Sequence, residues 1–342
     1  MPLIYFRRMF ESIDFESLFS DFKNQKVLII GDVMIDTYLW GNVGRVSPEA
    51  PVPIVSGVIE ENRLGGAANV ALNVKAMGAV PILCSVIGDD NRGKLFLDLM
   101  EEQYLTDVGL VVDENRVTTQ KTRIISGNQH LLRVDEEMDI FVDGRILDQF
   151  LELMNDLLNS GGIDAIIMQD YDKGVLAPRV ISEVIATAER VGVPVLVDPK
   201  FRSFGLYKKV KLFKPNYKEL AHGLKLDIPK HNIEKLSVAV QEYQQKQEID
   251  TLMVTLSEHG VLSATKDGFK HIPAINREIA DVSGAGDTVI SVAALCMIAG
   301  LNAEQTTALS NLAGGQVCEK AGVVPVNAEK LLAECLHYFK NS

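Results

Sequence analysis

The segment Asp281-Val282-Ser283-Gly284-Ala285-Gly286-Asp287, followed by the apolar run TVISVAALCMIAG, has the composition of an anion site. Two glycines at a helix start let backbone N–H groups approach a ligand with no side chain between, and the helix dipole adds partial positive charge. Asp287 falls within the first turn, at whatever that cradle holds. A carboxylate beside a phosphate chain can take the proton of an attacking hydroxyl, which is the base's part in phosphoryl transfer. The same residue types also suit an acid that complements the dipole of a buried helix, and types alone do not separate the two.

Two other glycine patterns fail on inspection. Gly88-Asp89-Asp90-Asn91-Arg92-Gly93-Lys94-Leu95 matches most of a P-loop, but Leu95 has no hydroxyl for magnesium and two carboxylates stand where phosphates belong. A strand-to-helix turn capped by Asp is expected there instead. The strand VLII is followed by GDVMID, with one glycine where a dinucleotide fingerprint needs three, which argues against a nucleotide-dependent oxidoreductase. The formal charge of -12 disfavours nonspecific nucleic-acid binding. The four cysteines form no C-x-x-C pair and read as buried thiols of a reducing compartment. The six histidines show no zinc spacing. No apolar run approaches the roughly 20 residues of a membrane span, and the N-terminus lacks a secretory h-region, so a cytoplasmic protein without membrane insertion is expected.

The frame that must position these residues alternates short β-branched runs with helical segments. Strands are expected at Val27–Ile30, Pro81–Val86, Leu110–Val112, Ala165–Met168, Pro194–Asp198 and Leu252–Leu256. Helices are expected near 67–77, 92–104, 178–190, 285–299, 303–318 and 327–339. Two antiparallel strands, GVLSATK and GFKHIPAI, should turn at Asp267-Gly268. Apolar strands alternating with helices predict an α/β fold, its mostly parallel sheet covered by helices on both faces. Residues 1–25 form an extension, with Phe15, Phe19 and Phe22 at helical spacing, ahead of a single domain over 26–342. Excursions at about 37–64 and 117–134 break the rhythm, the second reading as a hairpin turning at Gly127-Asn128. Together they are expected to build a small β-sheet serving as a lid or a dimer contact. Tyr38 and Trp40 lie on the first excursion and suit either a lid contact or a packed core.

From about residue 25 to the end, several pieces stand in one order and resemble the ribokinase-like (PfkB) sugar kinases. DVSGAGD is similar to the family's C-terminal signature, and the resemblance implies Asp287 as base with Gly284, Ala285 and Gly286 as anion hole. It implies Asp36 of GDVMID as a sugar-hydroxyl ligand, and Gly65, Gly66 and Asn69 of LGGAANVALN at the sugar. Asn216 and Glu219 of KPNYKE match the N-x-x-E arrangement near Mg²⁺ and the ATP phosphates, with the metal held through water. VTLSEHG, with Ser257 and Gly260, matches the turn beside the nucleotide, and Lys200 would assist the phosphates. ATP and Mg²⁺ are the implied cofactors, with a monovalent cation near Asp281 as a further candidate.

GDVMIDTYLWGNVGRVSPEAPVPIV, TRIISGNQHLLRVDEE and DYDKG narrow the resemblance to the branch of the family that acts on heptose 7-phosphate. The implied reaction phosphorylates the C1 hydroxyl to a 1,7-bisphosphate on the route to ADP-heptose and lipopolysaccharide. Some members of that branch carry a nucleotidyltransferase module after the kinase. The short stretch beyond Asp287 and the lack of an H-x-G-H motif lead to the expectation of a single-function kinase. A phosphorylated acceptor needs cations, and Lys121, Arg123, Arg133 and Lys173 are the candidates, with Asp170 beside them in DYDKG. Solvated lid charges are the plainer account of the same residues. The expected partners are the sugar phosphate, ATP and a second copy of the chain through the β-lid. A kinase for another sugar would use the same Asp36, Gly65 and Asn69, whereas a protein that only binds sugar or nucleotide has no use for a base.

Overall fold

The computed structural model describes residues 7–127 and 129–341. The chain begins with α1 (Phe15–Phe22), β1 (Lys26–Gly31), β2 (Val33–Val46), β3 (Pro53–Gly66), α2 (Ala67–Ala76), β4 (Val80–Gly88), α3 (Asn91–Glu102) and β5 (Gly109–Asp113). It continues through β6 (Gln120–Ser126), β7 (Gln129–Glu136), α4 (Gly144–Asn159), β8 (Ala165–Gln169), α5 (Pro178–Val191), β9 (Val195–Asp198) and β10 (Leu212–Phe213). The last part holds α6 (Tyr217–Leu224), α7 (Ile233–Lys246), β11 (Thr251–Thr255), β12 (Val261–Thr265), β13 (Gly268–Ile272), α8 (Ala285–Ile298), α9 (Ala303–Val317) and α10 (Ala328–Cys335).

A nine-stranded sheet in the order β13-β12-β11-β10-β9-β8-β1-β4-β5 forms the centre, parallel except for β12 and β13. Its apolar runs serve two cores because successive side chains alternate between faces. In β1, Val27 and Ile29 join a layer with α1, α2, α8, α9 and α10, whereas Leu28 and Ile30 join the opposite layer with α4, α5 and α7. This is the expected mostly parallel sheet between helices. All four cysteines are free and buried.

The two excursions meet in a second sheet of order β3-β2-β6-β7. There β2 pairs antiparallel with β3 and parallel with β6, and β6 pairs antiparallel with β7. Strand β2 starts at Val33, one residue after β1 ends at Asp32's neighbour Gly31, so the small sheet grows directly out of the large one. Ser126 pairs with Gln129 across the hairpin, while Asn128 of the expected turn lies outside the described residues.

Some boundaries differ from expectation. The turn between β12 and β13 is Lys266-Asp267, because Gly268 pairs with Thr265 as the first residue of β13. Helix α10 ends at Cys335 and continues as a wider π-helical turn over Leu336–Asn341. Elements α4, α6, α7 and β10 were not foreseen. Strand β10 has only Leu212 and Phe213 to signal it. Asp90 caps α3 by accepting from Gly93 N at 2.7 Å, and its other oxygen accepts from Thr118 N at 2.9 Å, so the P-loop look-alike is a capped turn.

Asp14 caps α1, and the helix buries Phe15, Leu18, Phe19 and Phe22. Phe10 stacks on Phe339 with ring centres 4.4 Å apart, and Phe15 lies 6.0 Å from the same ring. The segments around Phe10 and Phe339 are thus clasped by aromatic packing. Phe15→Ala should cost about 3–5 kcal/mol of stability in urea denaturation while leaving KM for ATP unchanged. A loss below about 1 kcal/mol would mean that the clasp contributes little.

Candidate active site

Parallel strands all end at one edge, and open α/β sheets bind ligands there. Asp32 follows β1, Gln169 ends β8 with Tyr171 just beyond, Asp198 ends β9, and Lys214 and Asn216 follow β10. A single parallel bridge between Asn216 and Thr255 sets KPNYKE alongside the turn after β11.

Helix α8 brings Asp287 to this edge. Its N-cap Gly284 has φ +78°, and a Cβ there would lie 3.0 Å from Asn69 Nδ2. Backbone conformation and crowding both call for glycine. Asp287 itself is buried. Its Oδ2 accepts from Asn69 Nδ2 at 2.7 Å, and its Oδ1 accepts from Tyr171 OH at 2.7 Å and Gln169 Nε2 at 3.2 Å. Burial pushes its carboxyl up to about 6 and nearby Asp198 adds to this, while Asn69, Tyr171 and Lys214 oppose the rise. The group is therefore ionised at neutral pH yet close enough to neutrality to take a proton.

Cations surround it in pairs. Lys214 is buried and binds Asp198 Oδ2 at 2.9 Å, an oxygen that also accepts from Gln169 Nε2 at 3.1 Å. A Cβ at Gly286 would lie 3.4 Å from Lys214 Nζ, so this ammonium sits directly under the helix N-terminus. Lys200 binds Glu219 and lies 5.3 Å from the centre of the Tyr171 ring. Burial alone would lower the Lys200 pKa, but the carboxylates of Asp198 and Glu219 hold it above the usual range.

Asn216 and Glu219 form a capping box on α6: Glu219 N donates to Asn216 Oδ1 at 2.9 Å and Asn216 N donates to Glu219 Oε2 at 2.8 Å. The N-x-x-E pattern thus builds a helix start as well as an oxygen-rich corner. Among the described residues no three His, Cys, Asp or Glu side chains gather as a metal cage. The donor set fits a magnesium that arrives with nucleotide and keeps its waters, because the Glu219 oxygens retain lone pairs beyond those used in the cap. Ser257 takes φ +55°, and Gly260 takes φ +85° with a would-be Cβ 2.1 Å from Ile272 O, so the turn after β11 is tightly shaped.

On the other side, Asp36 Oδ1 accepts from Arg123 at 2.5 Å. A Cβ on Gly65 would lie 2.2 Å from Asp36 Oδ2, and Gly66 has φ +61°. Lys121 binds Asp135 at 3.0 Å and Glu137 at 2.7 Å, Lys173 binds Glu137 at 2.9 Å, and Arg133 binds Asp135 at 3.0 Å. These three cations therefore form one linked cluster, and Arg123 stands apart on Asp36. Asp170 is drawn into the scaffold: its oxygens accept from Asp172 N at 2.8 Å and Tyr207 OH at 2.9 Å. Tyr38 is buried, with Trp40 stacked 5.7 Å away and the Arg63 and Arg123 guanidiniums over its ring, so this pair packs within the small sheet. Asp281 accepts from Ser283 N and Oγ at 3.0 and 2.9 Å and from Gly322 N at 3.0 Å, closing the loop before the helix.

Sequence reasoning missed Asp32, Gln169, Tyr171, Asp198 and Lys214. Four of them lie within the motifs GDVMID, DYDKG, Asp198-Pro199-Lys200 and KPNYKE, and Gln169 directly precedes DYDKG. What was lacking was knowledge of which member of each motif turns inward.

The family model described as pfkB family carbohydrate kinase matches residues 24–330. The chain belongs to this family. It is a phosphotransferase that acts on a sugar hydroxyl. The kinase is 37% identical over 318 residues to the bifunctional protein HldE of Pelobacter propionicus, covering 93% of this chain and 64% of that one. The HldE of Helicobacter pylori strain P12 is 37% identical over 311 residues, or 90% and 66% of the two chains. The chain therefore spans about two thirds of the length of these relatives. Among solved structures, Escherichia coli phosphofructokinase-2 in complex with potassium superposes with TM-score 0.73 at 15% identity, covering 91% of this chain and 98% of that one. Arabidopsis thaliana ribokinase complexed with ribose and ATP gives 0.69 at 18% identity, covering 90% and 98%. These two confirm the ribokinase-like fold.

Asp287→Asn keeps the size of the side chain but removes the proton acceptor, and kcat should fall by about 10²–10⁴ with ATP binding retained. In the unaltered kinase, turnover should fall as pH drops through about 6, where Asp287 is protonated. The stability sign is opposite. Because folding raises this pKa, the protonated group favours the folded state at low pH and that contribution is lost as pH rises through about 6. Asp287→Asn should therefore flatten the dependence of melting temperature on pH between 4 and 7. Near-normal turnover in the variant would remove Asp287 from the base role.

Proposed function

We propose that this kinase transfers the γ-phosphoryl group of ATP to the C1 hydroxyl of D-glycero-D-manno-heptose 7-phosphate, giving the 1,7-bisphosphate. The observation that carries the acceptor class is the linked cluster of Lys121, Lys173 and Arg133, held near Asp36 in an otherwise acidic chain. The heptose itself rests on the motifs GDVMIDTYLWGNVGRVSPEAPVPIV and TRIISGNQHLLRVDEE, and it is supported by the match to proteins named HldE across nearly the whole chain.

In this reading Asp36 and Asn69 orient the sugar, and Gly65 and Gly66 let it lie against backbone. The acceptor phosphate takes the place of Glu137 on Lys121 and Lys173. Asp287 takes the C1 hydroxyl proton as that oxygen bonds to the γ-phosphorus. The bond between γ-phosphorus and its bridging oxygen breaks, and its electrons leave with ADP. Charge on the transferring group is met by the N–H groups at the start of α8 and by Lys214 beneath them. Lys200, Ser257 and Gly260 border the nucleotide. Magnesium, held by Asn216 and Glu219 through water, would neutralise the phosphate chain. A monovalent cation beside Asp281 belongs to the same proposal.

The small sheet acts as a lid, and its exposed apolar residues Val46, Ile59 and Leu132 suit a homodimer contact. Among the described residues no helix is long and apolar enough to cross a membrane. A cytoplasmic site of action and a place in ADP-heptose and lipopolysaccharide synthesis follow from the proposed substrate.

Two charge-assisted hydrogen bonds, each worth roughly 1.5–3 kcal/mol, should favour heptose 7-phosphate over free heptose by about 10²–10⁴ in kcat/KM. Lys173→Met should raise KM for the sugar phosphate and leave KM for ATP nearly unchanged. The measurement compares heptose 7-phosphate, free heptose, fructose 6-phosphate and ribose under identical ATP. Equal use of free heptose, or a preference for ribose, would refute the heptose-phosphate proposal and leave the family assignment standing.

A further inference from the structure

We propose that Asp32 is a positioning residue for the base, acting through the 171–175 segment that its carboxylate holds by three backbone hydrogen bonds. The inference rests on Asp287 being the base. Asp32 is buried, and both of its carboxylate oxygens are spent on backbone N–H groups. Its Oδ2 accepts from Tyr171 N at 2.9 Å and Lys173 N at 3.1 Å, and its Oδ1 accepts from Val175 N at 2.9 Å. Alternate N–H groups converge on one carboxylate because Asp172 and Gly174 take φ of +59° and +98°. A Cβ at Gly174 would lie 2.0 Å from Ile140 O, so the segment has little room to rearrange.

The consequence reaches Asp287 through Tyr171. With its N–H fixed on Asp32, Tyr171 extends its hydroxyl to Asp287 Oδ1 at 2.7 Å. The Asp32 backbone serves the other two donors to the base. Asp32 N donates to Gln169 O at 3.2 Å, and Asp32 O accepts from Ala67 N at 2.9 Å in the first turn of α2, which carries Asn69. Arg116 braces the same segment by donating to the Lys173 carbonyl. One residue just after β1 therefore touches both chain segments that supply hydrogen bonds to Asp287, the start of α2 and the end of β8 with Tyr171. The charged groups around Asp287 are Asp198, Lys214 and Lys200, with Asp36 on the far side of Tyr171.

A hydroxyl that donates to a carboxylate favours its ionised form, so losing that bond makes the carboxylate hold its proton to higher pH. Tyr171→Phe should shift the acid limb of the kcat–pH profile upward by about one unit, with the larger activity loss at pH 6 than at pH 8. Asp32→Asn should shift it in the same direction, and should add no further shift in the Tyr171→Phe background. The profile is measured with ATP and the best acceptor of the sugar panel, beside melting temperature and KM for ATP. A lowered melting temperature with an unmoved acid limb, or shifts that simply add, would overturn the proposal. Should Asp32→Asn not fold, Arg116→Gln releases the segment from its other brace, and an unmoved limb in that variant overturns it equally. Asp287→Asn separates the two levels: near-normal turnover there defeats the base assignment, whereas a dead Asp287→Asn with an unmoved limb in the other variants defeats this inference alone.

Discussion

Burial of the Asp287 carboxylate is the constraint around which this kinase is arranged. A carboxylate taken out of water loses its hydration, and only hydrogen bonds or nearby cations can keep it ionised. Here Asn69, Gln169 and Tyr171 each donate one hydrogen bond, the first from α2 and the other two from the end of β8. The compensation is partial, which leaves the acid raised to about 6. A fully compensated carboxylate would be too weak a base, and an uncompensated one would stay protonated.

The cations of the site obey a related rule. Lys214 has Asp198, Lys200 has Glu219, Arg123 has Asp36, and Lys121 shares Glu137 with Lys173. Each of these cations is held by a carboxylate. Such pairing keeps half-buried cations in place, because an ammonium without a partner would be costly to bury. It also means that an anionic ligand must compete with a carboxylate, so its advantage lies in carrying more charge and more acceptor oxygens than the group it displaces.

The two sheets divide the work. The parallel sheet brings the ends of β1, β8, β9 and β10 to one edge, where α8 presents its N-terminus. The small sheet places Asp36 and Arg123 on adjacent strands, Asp36 in register with Lys121 and Arg123 in register with Tyr38. Since β2 leaves β1 after a single residue, Asp32 stands at the junction of both sheets. Asp287, through Tyr171, and Asp36 are thereby referred to one corner of the fold.

Much of this was legible in the linear chain. The strand and helix alternation, the Gly284–Gly286 helix start, Asp287 and the pairing of two polar excursions follow from local rules: apolar period, glycine at a helix end, and long loops that need a partner. The decisive contacts of Asp287 were not legible, because Asn69, Gln169 and Tyr171 are separated from it by 218, 118 and 116 residues. DYDKG displays two acids and a lysine, and its charge points to Asp170 and Lys173, yet the residue that reaches Asp287 is the tyrosine between them. Likewise KPNYKE points to Asn216 and Glu219, while its first lysine is the one buried beneath the start of α8. Sequence by itself determined which chemistry was available and at which sheet edge it would gather, since those depend on residue type and short-range period. Only the tertiary structure decided which members of each motif face Asp287, because side-chain direction at a strand end depends on backbone φ and on packing against segments far away in the chain.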